Sequence, residues 1–334
     1  MTDWLQQLAQ QRAHLRNTSD PHGDFFCVLD HLGHSTFSGD DAATFLHNQL
    51  TNDVEHLGTG RAQLAGYCSA KGRMLASLLM WRSADAIVLQ LPRELQSSVQ
   101  KRLQMYVLRA KVKIADISDE TVAFGFVGPG AAAVLQRWFA VLPTACYDKV
   151  DSAAGTLMRI SDAGDHPRWQ WVTTSATASE VLPQLAELLA LVDAARWRLS
   201  EIHAGLPQIM LATQEKFVPQ MINFEAIGGV NFRKGCYPGQ EIVARSQYLG
   251  TLKRRMLPAS IDAAAVEAGM EVFAAADPSQ PCGIIVNAER GTNVRMDCLV
   301  EVKLAARDAG AIRLGVDGPL LQFSALPYAL ADSV

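Results

Sequence analysis

Lys234-Gly235-Cys236-Tyr237-Pro238-Gly239-Gln240-Glu241 sets one cysteine directly after a cation and between two glycines, then follows it with a Pro-Gly turn and a Gln-Glu pair. A thiol beside Lys234 and Arg233 loses its proton more readily than a free cysteine, because a neighbouring cation stabilises the thiolate. The glycines permit backbone geometry that other residues resist, so a neighbour can approach the main chain closely. Cys236 and Lys234 are therefore the first catalytic candidates. The plainer readings are a small buried hydrophobe for Cys236 and a solvated loop lysine for Lys234. Gln240 and Glu241 have an equally plain role, opening a helix over 242–246 whose positive end favours a carboxylate. Arg245 is open in the same way.

Outward from this segment, the chain bounds what it can do. It has 334 residues, 49% hydrophobic and 19% charged, which is the composition of a well-folded protein of two or three domains. A net charge of -4 argues against a wholesale nucleic-acid binder. Its six cysteines, Cys27, Cys68, Cys146, Cys236, Cys282 and Cys298, form no CxxC pair, so no metal site is read from spacing. Residues 1–11 read as an amphipathic helix with Trp4, Leu5 and Leu8 on one face, not as an apolar signal core. The longest apolar run, 74–81, is interrupted by Ser77 and is too short to span a bilayer. A cytoplasmic protein with reduced thiols is expected, without membrane attachment.

Periodicity predicts one strand or two short ones over 27–37, a helix over 41–50 capped by Asp40, and strands at 64–67, 74–81 and 86–91. A helix from Pro92 to about 107 follows, with Leu95, Val99, Leu103 and Val107 at helical spacing. A second cycle of related rhythm has strands at 112–117, 122–127, 157–160 and 169–173, with helices over 131–139 and from Ser179 to 191. A further helix carries Trp197 and ends at Gly205 before Pro207. From 252 onward, short strands at 270–273, 283–286, 298–304, 312–314 and 320–323 alternate with turns, as in a small antiparallel barrel. Pro258 is the boundary marker. The fold class is α+β, with an α+β region over 20–250 built of two intertwined units and a C-terminal β-barrel domain over 251–334.

With these segments in place, a resemblance can be stated. Lys234-Gly-Cys-Tyr-Pro-Gly-Gln-Glu-Ile-Val-Ala-Arg245 resembles the signature of the YgfZ family of folate-binding proteins, relatives of the glycine-cleavage T-protein, an aminomethyltransferase. Phe37-Ser-Gly-Asp-Asp-Ala-Ala-Thr-Phe-Leu-His-Asn-Gln-Leu-Thr-Asn-Asp-Val54 resembles the first helix and turn shared by both groups. Residues 197–207, ending in His203-Ala204-Gly205-Leu206-Pro207, resemble the segment that leads into the ligand pocket. The likeness runs over about 25–258. It implies a three-domain ring with tetrahydrofolate or a related reduced folate near its centre, and a role in assembling or repairing iron–sulfur client enzymes. One such client methylthiolates tRNA, so tRNA modification is supported without direct nucleic-acid binding.

Three departures qualify the likeness. The T-protein has an acidic pair after the glycine turn, whereas Lys71-Gly72-Arg73-Met74-Leu75 has no carboxylate, so transfer chemistry lacks its obvious proton relay. The resemblance implies a glutamate two residues before Gly205, accepting hydrogen bonds from the pterin; His203 stands there, with one donor and one acceptor when neutral. Leu32 occupies the place of a tryptophan found in family members. Trp197 matches, and as a folate-binding residue it offers a flat face for a pterin; its plainer reading is core. His203 is the second folate-binding candidate, against a satisfied core histidine. The stretch 233–255 holds six Lys/Arg and one acid, a balance of +5, suited to a folate's glutamate tail, an acidic partner or, without interleaved aromatics only weakly, RNA phosphates; the plainer reading of 253–255 is a solvated strand entry. The expected function is a folate-binding accessory protein rather than a conventional enzyme. The alternatives are a folate-dependent one-carbon transferase with a relocated acid and an interaction scaffold.

Overall fold

In the computed structural model, which describes residues 4, 8–10, 23–248, 252–291 and 295–330, the stretch read as one strand or two over 27–37 divides into two strands of different sheets. β1 (Phe25–Val28) pairs antiparallel with β7 (Thr121–Val127) almost a hundred residues on, while β2 (Leu32–Ser38) pairs with β5 (Ala86–Pro92) and β6 (Lys113–Asp116). The chain therefore crosses between the two α+β units at once, and this interlocks them. The first sheet runs β3-β4-β5-β2-β6, with β3 (Ala62–Cys68) and β4 (Met74–Ser83). The second runs β11-β1-β7-β10-β9-β8, with β8 (Lys149–Ser152), β9 (Gly155–Ala163), β10 (His166–Thr174) and β11 (Ala190–Leu191).

Packing explains the apolar runs. The first eight residues of β4 are buried on both faces. One face joins the core beneath the first sheet, and the other, through Leu79 and Trp81, meets Phe25, Cys27, Met158 and Ile160 of the second sheet. A strand covered on both sides loses the polar alternation of a surface strand. The helices cover the outer faces. α1 (Ala42–His47) and α2 (Arg93–Val107) pack on the first sheet, while α3 (Pro129–Leu135) and α4 (Ser175–Leu188) pack on the second. Trp4 and Leu8 are buried in this second core; the rest of the helix expected over 1–11 lies outside the described residues.

α1 is shorter than the helix expected over 41–50. Asp41, not Asp40, precedes it and makes no side-chain cap, because its carboxylate accepts instead from the Lys111 backbone N–H at 2.7 Å. α4 begins four residues earlier than expected because Thr174 caps it, accepting from the Thr177 N–H at 3.2 Å. It ends before 191 because Ala190 and Leu191 pair with β1.

The C-terminal sheet runs β16-β13-β14-β15-β12-β17. Its strands are β12 (Arg254–Ile261), β13 (Glu271–Ala274), β14 (Asp277–Arg290), β15 (Met296–Lys303), β16 (Ile312–Leu314) and β17 (Leu321–Phe323). An antiparallel bridge between Arg313 and Leu320 joins its two ends, so the sheet is a nearly closed barrel. β12 was absent from the sequence expectation. Pro258, the expected boundary marker, lies inside it opposite Leu299, and its carbonyl accepts from the Ser324 N–H at 2.9 Å. No helix among the described residues is long and apolar enough to cross a membrane.

Candidate functional site

Two candidate places emerge, and they are separate. The first is a cavity between the two α+β units. α5 (Ala194–His203), capped by Asp193 accepting from the Ala195 N–H at 2.8 Å, supplies one wall. Trp197 and Glu201 are one helical turn apart and so share a face; both line the cavity with Gln90, Gln170, Tyr147 and Leu32. Apolar side chains such as Leu64, Leu79 and Ile227 complete the walls. Its volume is about 60 Å³. Through Leu64, Tyr147 and Ile227 it borders a wider cleft of about 590 Å³, which Arg61 and Arg233 also line.

The Trp197 ring is fixed on two sides. A Cβ at Gly125 would collide with the indole, so glycine is required there. The guanidinium carbon of Arg168 sits 4.8 Å from the ring centroid. Arg168 is itself wholly buried, donating from Nε to the Ser161 carbonyl at 2.7 Å and from Nη1 to Ser200 Oγ at 2.8 Å. Its Nη2 is buried without a hydrogen-bond partner. Burial pushes the Glu201 carboxyl up to about 7, against the opposing pull of Arg168, the Trp197 indole and Arg198. At neutral pH this acid holds a proton part of the time.

His203 does not join this cavity. Two residues beyond Glu201, it points to the far side of α5, where its Nε2 lies 2.9 Å from Asp297 Oδ2 of β15. It ties the helix to the barrel. The carboxylate that the resemblance led us to seek at 203 is present one half-turn earlier, as Glu201. The i, i+4 spacing to Trp197 was the signal that could have found it.

The second place is the loop of Cys236, which is exposed. Lys234 is buried, and its Nζ donates to the carbonyls of His47 and, at 2.9 Å, Leu50. The His47 carbonyl is an orphan at the end of α1, so Lys234 caps that helix, and its bond to Leu50 holds the turn that follows. The same ammonium lies 5.0 Å from the Tyr237 ring centroid. Burial lowers its pKa to about 8, opposed by Asp53, Cys236 and Glu55. Gly239 has φ +81, and a Cβ there would strike Ser69 and Gly72 of the β3–β4 turn, which explains the Pro-Gly pair. α6 (Gln240–Tyr248) starts directly after it, with Glu241 exposed in its first turn.

Sequence reasoning missed the support behind this loop. His47 places Nδ1 3.2 Å from Asp53 Oδ1, and Asp53 also meets His56 Nδ1 at 2.9 Å. The other nitrogen of His47 lies against Gly235. Cys68, on β3 beside the β3–β4 turn, is buried, and burial pushes it up to about 12. The basic stretch is largely consumed by structure. Arg254 pairs with Glu301, and Arg255 pairs with Glu225 at 2.5 Å while donating to the Gln220 carbonyl at 2.9 Å. Neither Cys236 nor Lys234 lines the cavity; Arg233, at the rim of the cleft, is the nearest link between the two places.

Comparison with known proteins bears on the family and the fold. The GCVT N-terminal domain family matches residues 26–154. A tRNA-modifying protein YgfZ from Klebsiella pneumoniae is 33% identical over 92% of this chain and 93% of its own length. One from Escherichia coli O7:K1 is 31% identical over 91% of this chain and 93% of its own. Among solved structures, the glycine cleavage system aminomethyltransferase T from Bartonella henselae superposes with a TM-score of 0.72, covering 96% of this chain and 89% of that one. At 16% identity it shows a shared fold, which is the T-protein-like architecture the resemblance implied.

Proposed function

The chain belongs to the family of the tRNA-modifying proteins YgfZ, and from this we propose that it is a folate-binding accessory protein. Its work is the assembly or repair of iron–sulfur clusters, through which it supports tRNA methylthiolation. The observation that carries the folate part is the shared face of Trp197 and Glu201 in the cavity between the units. The donor set suits a pterin. Glu201 accepts from an amino group and a ring N–H, the amides of Gln90 and Gln170, bonded to each other, each keep one N–H for a ring nitrogen or carbonyl, and apolar walls exclude water. At about 60 Å³ the cavity is smaller than the ~300 Å³ or more usual for ligand sites, so the shared wall of Leu64 and Ile227 must yield on binding. A reduced folate, when bound, supplies nitrogens that carry a one-carbon unit.

Titration with 5-formyltetrahydrofolate, followed by calorimetry and thermal melting, tests this. Tight binding that Glu201→Gln weakens roughly tenfold, about one strong hydrogen bond, is expected. Equal binding by wild type and variant would sink the site. For the cysteine loop, Cys236→Ala should retain folate binding yet fail to restore iron–sulfur enzyme activity in a deletion strain; full restoration removes Cys236 from the mechanism.

One observation favours a second reading, a one-carbon transferase with a relocated acid. Glu201, near 7, has the pKa of a group that both gives and takes a proton. Methylene transfer from an aminomethyl donor to tetrahydrofolate, lost in Glu201→Gln, would establish it; tight folate binding without turnover dismisses it.

A further inference from the structure

The end of α2 and the turn after it carry features that neither the cavity nor the cysteine loop uses. Between Lys101 and Lys113 lie five Lys/Arg (101, 102, 109, 111 and 113) and no Asp/Glu, a local +5 on a chain of net charge -4. Within this run Met105, Tyr106 and Leu108 are 66%, 48% and 87% exposed. Lys101 and Met105 are spaced by four residues on α2, which sets them along one helical stripe, and Leu108 follows directly where the helix ends.

Leu108 is out of place twice over. Its φ is +46 and its ψ -106, and the Ala110 N–H donates to the Val107 carbonyl at 2.8 Å. That is a type II′ turn with leucine at the position glycine normally fills. A bulky residue resists this backbone, and most of this one faces water. Neither packing nor backbone preference accounts for the leucine, which leaves a role outside the fold. Around it, Lys101, Arg109 and Lys113 are exposed, whereas Lys111 is partly neutralised by Asp40 at 3.0 Å.

We propose that this turn is a docking knob for an acidic protein surface. Leu108 and Met105 enter an apolar pocket of the partner, while Lys101, Arg109 and Lys113 face carboxylates on its rim. Charge complementarity selects an acidic partner, and the protruding aliphatic tip selects a protein over RNA. Bases need flat aromatic platforms, and the ring nearest the tip, Tyr106, stands by Arg102 and Tyr67. This surface stands apart from the folate reading.

The test titrates the full chain with three probes: a Glu-rich amphipathic peptide with Leu and Phe at helical spacing, oligouridylate, and phosphatidylglycerol vesicles. The peptide is expected to bind best, with affinity falling as salt rises. Leu108→Gly and the double change Arg109→Ala/Lys113→Ala should each weaken it roughly tenfold. The Tm of Leu108→Gly should not fall, because glycine relieves the turn, so lost binding is not lost folding. Absent peptide binding, or equal affinity in wild type and Leu108→Gly, overturns the proposal. So does oligouridylate or vesicle binding that exceeds the peptide's and is lost in the same variants.

Discussion

Glu201 is where residue chemistry and stability meet. Its carboxyl has an ordinary value of 4.5 in the unfolded chain and about 7 in the folded one. The native state therefore binds the proton more tightly, and stability falls as pH rises from about 4.5 to about 7, then levels off. Urea denaturation across this window should show the slope in wild type and its loss in Glu201→Gln. At pH 8 the variant should be more stable by about 1–3 kcal/mol, because a buried ionised carboxylate is replaced by a neutral amide. Equal stability at pH 8 would mean that Arg168 already compensates the charge. Trp197 was legible in the sequence as a cavity residue; Glu201 was not, because the resemblance pointed two positions further along the same helix. The half-turn between 201 and 203 decides which side of α5 a side chain faces.

At the scale of elements, the Cys236 loop is held by two devices. Lys234 satisfies the end of α1, and Gly239 lets the loop lie against the β3–β4 turn. Gly239→Ala places a side chain at φ +81 and against the backbone of Ser69 and Gly72. It should cost about 2–3 kcal/mol in urea titration. A thiol reagent should also react with Cys236 at a changed rate, since the loop loses its seat. An unchanged midpoint would mean that the two turns separate freely. The sequence marked this loop through its glycines and proline, and the reason they are needed lies in a turn some 170 residues earlier. Local signals served well for strands bounded by turns. They failed for β12, where Pro258 reads as a breaker although its strand needs only its carbonyl at that point.

At the scale of the whole molecule, the barrel is fastened to the α+β units by a buried ion pair and an exposed contact. Arg255 of β12 reaches Glu225 and the Gln220 carbonyl in the segment that precedes the cysteine loop, and His203 meets Asp297. Arg255→Met leaves Glu225 buried without its partner and should cost about 3–5 kcal/mol. The double variant Arg255→Met/Glu225→Leu should recover most of that loss, which chemical denaturation of the three proteins will measure; no recovery would show that the pair is not the fastening. By itself, the sequence determined the family, the α+β class and the antiparallel C-terminal region, and it singled out Cys236 and Trp197 as candidates, because these rest on short-range pattern and motif. Tertiary structure alone decided that Lys234 caps a helix, that Glu201 rather than His203 faces the cavity, that Arg254 and Arg255 are consumed by ion pairs, and that Leu108 stands in the open. Each of those depends on which distant groups are brought together, and burial and charge pairing are properties of that assembly, not of neighbours in the chain.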